Sequence, residues 1–417
     1  MVLTGIVVGL TGHGTPLAFI CAALLVICTM TSAVVLSSAV PSNGGGYSYV
    51  KRLIGPRAGF MYLGMFVLSQ VLIATFALGF AQYFAALVPN ANEKLVAMII
   101  LTLATAVNLI GITTAASVQN IMVFCLLAAL ALFAIFGLPQ VDWSNMALTA
   151  ENIMPNGVMN FLQGVALLSF ATGGAKFLAE TAGEVKNAGK TVPRAMILST
   201  IIVAVFYALL GVVASGVLPL DQVAFQNLTL VAQTIFSPTM FNIFILGAAC
   251  CAIMSSLASG MTMLRYPLLA VAEDGWLPKI FKNRLFVFVL LYIINLIPIF
   301  LGFSLSELIS MLLVPSAIIT AVKNYRGMKL PEMYPEEWEN CSIKCSVGLF
   351  KALMAISIVT SLMTSAFSMR NLTMTQAVGT VIMTILVFVY PKVRMSSGKV
   401  KIVSTTDMDK EEAAAAK

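Results

Sequence analysis

The sequence predicts an all-α polytopic membrane protein. Three observations carry that expectation. Hydrophobic residues make up 59% of the 417 and charged residues 10%, where a soluble domain carries about 25% charged residues. The mean hydropathy is +0.97, and the apolar runs are long enough to cross a hydrocarbon core of about 30 Å at about 1.5 Å per residue. The lysines and arginines gather in alternate loops, as they do in membrane proteins with basic cytoplasmic loops. The net charge of +7 follows from that loop bias. It calls for a lipid bilayer and for no nucleic-acid partner.

Taken in order, residues 1–10 are apolar but too short to span, and they lead into the turn Gly12-His13-Gly14. They carry no basic n-region and no small-residue cleavage site, so they do not read as a signal peptide. With the turn outside, Met1 is expected near mid-membrane, as the start of an incomplete first helix. Spanning runs follow near residues 16–40, 58–88, 95–110, 117–138, 158–180, 193–219, 239–271, 284–303, 305–322, 347–368 and 374–391, about eleven in all. The 95–110 run is short for a crossing, and the 239–271 run is long enough to tilt or to project from the membrane.

The run at 158–180 is the odd one. It contains Phe170-Ala171-Thr172-Gly173-Gly174-Ala175-Lys176. Glycine costs a helix roughly 1 kcal/mol relative to alanine. A lysine at membrane depth costs about 2.5 kcal/mol or more. Irregular backbone at that depth must be buried in protein or line a watered cavity, and interrupted spans point to transporter binding sites. A small-residue packing surface between helices is the competing reading.

Lys51, Arg52 and Arg57 follow the first full span; Lys186, Lys190 and Arg194 follow the fifth. Arg265, Lys279, Lys282 and Arg284 surround the end of the seventh. Lys323, Arg326, Lys329 and Lys344 come after the ninth, and Lys392, Arg394, Lys399 and Lys401 lie in the tail. The other side carries Lys94 and Arg370. The crowded loops and the C-terminus are therefore expected in the cytoplasm. Cys21, Cys28, Cys125, Cys250 and Cys251 lie in apolar runs as small hydrophobes. Cys341 and Cys345 fall in a cytoplasmic loop, where a disulfide is not expected. No metal-ligand spacing and no cofactor motif is present. His13, the single histidine, reads as a turn residue. The sequons at Asn227 and Asn371 read as chance.

Three stretches together resemble the amino acid/polyamine/organocation (APC) superfamily of permeases. Pro41-Ser42-Asn43-Gly44-Gly45-Gly46-Tyr47-Ser48-Tyr49-Val50, then Leu53-Ile54-Gly55-Pro56 and Gly59-Phe60, is similar to its P-x-x-GG-x-Y-x-Y…GP…GF signature. Phe170 to Gly174, Gly183-Glu184-Val185-Lys186-Asn187 and Val192-Pro193-Arg194-Ala195 resemble its sixth helix and EVKNP…IPRA loop. Arg265-Tyr266 and Ala272-Glu273-Asp274-Gly275-Trp276-Leu277-Pro278 resemble the end of its eighth helix. The chain also departs from the family pattern. The first-helix G-S-G-I-F motif would end at Met1, so the resemblance implies a permease truncated within its first helix. Val35 stands where the family has an acidic residue, Cys125 where some members have a lysine, and Lys176 where an aspartate or glutamate is common.

The resemblance implies a leucine-transporter-type fold. Two inverted five-helix repeats, about residues 1–138 and 158–322, would be followed by two C-terminal helices at about 347–391 and a cytoplasmic tail at 392–417. It further implies a secondary transporter of amino acids or related amines, working by alternating access with proton coupling or exchange, in the cell membrane. Half-helix N-termini suit a carboxylate, and the opposing C-termini an ammonium. Phe170 would be the aromatic gate; Ala171, Thr172, Gly173 and Gly174 would offer backbone and space, for an apolar substrate of moderate size. Lys176 would be a proton-coupling lysine, since desolvation lowers a lysine's pKa, or would snorkel to the cytoplasmic vestibule or pair with Glu180, four residues on. Ser255, Ser256 and Ser259 sit where some relatives of this fold hold sodium, but membrane serines more often bond their own helix. The alternatives are a transport-inactive truncated permease or partner subunit, and a membrane enzyme. The enzyme would need a polar cluster, for which Glu180 and Glu184 are the one candidate pair; they read better as an ion-pair network with Lys186 and Lys190. No catalytic residue is assigned, and the oligomeric state is not read from the sequence.

Overall fold

The computed structural model describes residues 3–39, 45–68, 72–110, 112–147, 149–180, 182, 185–303, 305–343, 345–370, 372–398 and 400. Pro41 to Gly44, Gly183, Glu184, Lys344, Asn371, Lys399 and the tail from Lys401 lie outside the described residues, as do the side chains of Glu180, Arg265 and Tyr266.

Every described element is helical. A half-length helix α1 (Thr4–Thr11) and a tight turn at Gly12–Gly14 lead into α2 (Thr15–Ala39). The turn reverses the chain at Gly12, whose φ of 55° suits a residue without a Cβ. Next come α3 (Gly45–Leu53), α4 (Pro56–Leu68), α5 (Leu72–Ala85), α6 (Glu93–Ile110) and α7 (Ile112–Gly137). A short α8 (Ala150–Ile153) precedes α9 (Gly157–Thr172), and α10 (Ala188–Gly216) returns across the bundle. The small helices α11 (Leu220–Val223), α12 (Thr229–Ile235) and α13 (Pro238–Phe244) lead to α14 (Cys251–Glu273). Then follow α15 (Arg284–Leu301), α16 (Leu305–Gly327), α17 (Leu330–Met333), α18 (Pro335–Glu339), α19 (Val347–Met369) and α20 (Met374–Ser396).

Among the described residues nine stretches are helical, long and apolar enough to cross a membrane, from Thr4–Ala39 to Met374–Ser396. Their outward faces stay apolar. In the last of them only 12% of the spanning window is buried within the protein, so the hydrocarbon must come from lipid. Two expected runs are divided. The described parts of the 58–88 run are α4 and α5, on either side of residues outside the description. The 239–271 run is α13 and α14 joined by a wide π-helical turn, Ile245–Cys250. The 158–180 run stops being α-helical at Thr172. Sharp ends are capped: Ser346 Oγ accepts from the Leu349 N–H at 3.2 Å, and Thr373 with Gln376 forms a capping box.

The two ends of the bundle differ. At one end α1, α9, α10 and the 224–226 strap are tied together. Asn156 Nδ2 donates to Gly9 O at 2.8 Å, the Asp142 N–H to Gly216 O at 2.9 Å and the Phe225 N–H to Gly5 O at 2.9 Å. At the other end the last turns of α2, the helix α3, the start of α10 and the 330–345 loop bury Val35, Tyr49, Val192, Leu330, Tyr334 and Cys341 in one cluster. This is the basic end: Lys51, Arg52, Lys329, Lys351 and Arg394 all lie on elements that meet there.

Candidate functional site

The break in the fifth run is real, but it is not an unwound strand of backbone. The α-helix ends with Gly173 as its cap, at φ −85° and ψ 4°, and the Gly173 N–H bonds Phe170 O. The chain then winds on as a tighter 3₁₀ helix over Gly173–Glu180. That corrects the expectation that the backbone unwinds here. A 3₁₀ helix keeps N–H and C=O paired three residues apart, so the chain relaxes its α-helix without leaving polar groups bare in an apolar interior.

The break sits beside the start of α1. Leu3 and Val7 share a core cluster with Leu167, Leu168, Phe170 and Ala171. Gly164 allows the approach: a Cβ there would lie 2.6 Å from Thr11 Cγ2. Among the described residues α1 opens without a side-chain cap, and the first N–H groups of a helix have no partner within it. The Thr4 hydroxyl, on the first residue, is fully buried and finds no partner among the described residues. Sequence reasoning missed Thr4. It is one hydroxyl in an apolar half-helix, and nothing in its neighbours marks it.

Phe170 is half-buried and its ring lies 6.0 Å from that of Phe76 on α5. Sequence reasoning missed Phe76 as well, because only packing pairs the two rings. Ala171 is half-buried. Thr172 is 2% exposed, and its hydroxyl donates back to Leu168 O at 3.1 Å. That hydroxyl is occupied by its own helix, so Thr172 contributes its methyl group and backbone. Among the described residues, an added Cβ at Gly173 would meet only Val26 Cγ2, at 3.8 Å, and at Gly174 it would meet nothing within 4 Å. The space beside the two glycines is open with respect to the described residues.

Lys176 lies one turn beyond. Its Nζ is 3.4 Å from Ser316 Oγ on α16 and 5.4 Å from the Phe177 ring centroid. It faces α16, a helix distant in sequence. The expected pairing with Glu180 falls on a side chain outside the described residues, as does the Glu180–Glu184 pair. Ser256 and Ser259 hydroxyls donate to Ala252 O and Ser255 O, each at 2.9 Å, so both are held by their own helix. All seven cysteines are free. No cluster of metal-ligating side chains occurs among the described residues. His13 stays in its turn, at Gly12–Gly14.

Residues 1–390 match the family model described as amino acid permease. The chain is 32% identical to the Large neutral amino acids transporter small subunit 2 of Homo sapiens over 194 residues, 42% of this chain and 36% of that one. It is 25% identical to the Branched-chain amino acid permease BcaP of Bacillus subtilis (strain 168) over 302 residues, 66% and 63% of the two chains. It is 26% identical to the Low-affinity putrescine importer PlaP of Escherichia coli (strain K12) over 204 residues, 48% and 45%. The matched stretches thus span from 36% to 63% of the length of these relatives. The chain belongs to the amino acid permease family and is a multi-pass membrane protein.

Proposed function

We propose that this member of the amino acid permease family is a secondary transporter that moves amino acids across the cell membrane by alternating access, with its C-terminus in the cytoplasm. The observation that carries the reading is the end of α9 at Gly173, in the core and next to the start of α1. A zwitterion needs two opposite partial charges a few ångströms apart, and a helix start facing a helix end supplies them. The amides of α1's first turn, with the buried Thr4 hydroxyl, suit the carboxylate. The carbonyls at the end of α9, each with a second lone pair beyond its bond within the helix, suit the ammonium.

The substrate side chain would lie in the open space at Gly173 and Gly174, under the Phe76–Phe170 ring pair. These walls are carbon, which favours a neutral apolar side chain over a second charge. Names of relatives range from large neutral and branched-chain amino acids to putrescine; the carbon walls favour the first two. Inverted repeats at about 1–138 and 158–322, followed by the two helices at 347–391, complete the proposed architecture.

The test is counterflow in proteoliposomes preloaded with each standard amino acid or with putrescine. Leucine, isoleucine, valine and phenylalanine should exchange, and putrescine should not. Exchange of putrescine alone would overturn the substrate class. Exchange of none by a folded protein would overturn the transport reading.

A further inference from the structure

α6 and α15 pack side by side at the edge of the bundle and run antiparallel. Arg284, the first residue of α15, donates through Nη2 to Asn108 O near the end of α6. Two turns on, Thr102 Oγ1 lies 3.1 Å from the Tyr292 hydroxyl. In the register that these two contacts set, Val107 lies level with Leu285, Leu103 with Val289 and Ile99 with Ile293. All six are between 41% and 56% exposed. The opposite faces of the two helices point inward, where Leu101 and Phe288 are buried in one cluster with Leu257 of α14. One exposed apolar residue from each helix at every turn makes a continuous outward seam. It runs for about 12 Å, most of the depth of one leaflet's hydrocarbon.

The seam ends in cations at the basic end of the bundle. The 3₁₀ turn Lys279–Lys282 packs on the end of α14 and the start of α15. It is pinned by the Phe281 ring, 5.1 Å from that of Phe286. Lys279, Ile280 and Lys282 are exposed; Arg284 is half-buried, its Cζ 5.6 Å from the Phe288 ring centroid. The three cations outnumber the acids near them. The sequence has no carboxylate between Asp274 and Glu307, and no charged residue from Leu95 to Gln140. Asp274 is engaged by Lys51 Nζ at 2.6 Å and by the Tyr47 hydroxyl, which leaves Glu273, exposed at the end of α14. The cations also sit at the positive pole of α15, whose first turn holds no acidic residue. An anion placed there is attracted by the side chains and by the helix dipole together. An apolar wall that ends in cations at the interface fits a molecule with acyl chains and a phosphate.

We propose that the seam between α6 and α15 binds an anionic phospholipid from the leaflet on the basic side. Its acyl chains lie along the seam, and its headgroup phosphate rests on Lys279, Lys282 and Arg284. This site is separate from the helix break, and it does not depend on what the protein transports.

Native mass spectrometry of the detergent-solubilised protein, with dioleoyl phosphatidylglycerol or dioleoyl phosphatidylcholine added, reads the site directly. The wild type should retain phosphatidylglycerol over phosphatidylcholine. Lys279→Gln/Lys282→Gln should lower phosphatidylglycerol occupancy about tenfold or more, the scale expected for two cations at a membrane surface, and leave phosphatidylcholine unchanged. Lys190→Gln/Lys329→Gln removes two exposed cations from the same face away from the seam, and should bind as the wild type does. No loss in the first pair, or an equal loss in the second, would overturn the proposal, the latter by assigning the effect to the charge of the whole face. Inorganic phosphate that displaces the lipid at equal concentration would mark a free-phosphate site and overturn it too. A second measurement needs no variant. Phosphatidylglycerol carrying a diazirine in its acyl chain, in vesicles holding the wild-type protein, should label residues 95–107 and 285–297 above α20, the span with only 12% of its window buried. Label that follows exposure, with α20 foremost, would overturn the seam as the place of binding.

Discussion

Side-chain volume should matter most at Gly174. Among the described residues nothing stands within 4 Å of its absent Cβ, so a larger residue fits there without a clash and fills the space proposed for substrate. Gly174→Leu should leave membrane expression and unfolding temperature near wild type while abolishing uptake. Uptake with unchanged affinity would make the glycine a packing residue only. Lys176 sets a different question at the same scale. Its Nζ reaches Ser316 across to α16, so removing it alters a contact between the 3₁₀ segment and a second helix. If Lys176 couples transport to a proton, Lys176→Ala should keep counterflow exchange and lose pH-driven accumulation over external pH of about 5 to 8. Retention of both would remove it from coupling. The two glycines and Lys176 stand out in the sequence because each breaks the pattern of an apolar run, and Phe170 is singled out only by the family resemblance. Thr4 and Phe76 do not stand out, since a threonine and a phenylalanine in apolar helices are ordinary until a fold sets them beside the break.

The break itself is a property of an element, and it makes a prediction about stability. Gly173 sits at φ −85°, which alanine tolerates. Gly173→Ala/Gly174→Ala should raise stability by about 0.4–1 kcal/mol per site through the unfolded chain, and should lower transport if the α-to-3₁₀ transition is needed for movement. A thermal-shift assay beside an uptake assay separates the two; a rise in both would make the transition incidental. Elsewhere the expected span at 239–271 became a pair of helices. Hydropathy averages over a window, and it passes smoothly across a π turn that backbone geometry must resolve.

For the whole molecule, the charge bias is the argument for orientation. Lys94 and Arg370 face eighteen basic residues on the opposite side in the expected topology. Single cysteines replacing Lys186 or Lys329 should react with an impermeant maleimide only from the cytoplasm. Labelling of either in sealed cells would invert the molecule. The basic end is also where the structure gathers α3, the Asp274 turn and the 330–345 loop, and where the Ser342 N–H donates to Ser38 Oγ at 2.9 Å and Ser38 Oγ to Gly189 O at 2.8 Å. That end is tied by polar side chains reaching across helices, whereas the opposite end is tied largely through backbone at Gly5, Gly9 and Gly216.

By itself the sequence determined the membrane class, the set of apolar runs, the basic loops and the place where one span fails. Each is a sum over neighbouring residues: hydropathy, charge, and the helix cost of glycine at Gly173 and Gly174. The tertiary structure decided what those residues meet. It set the end of α9 beside the start of α1, put Phe76 over Phe170, turned Lys176 to Ser316, and joined Asp274 to a lysine 223 positions away. It also decided that the break is a tightened helix instead of bare backbone, because buried N–H and C=O groups must be paired wherever water is excluded. Such pairings depend on which helix faces touch, and a local pattern carries no term for a partner that is far along the chain.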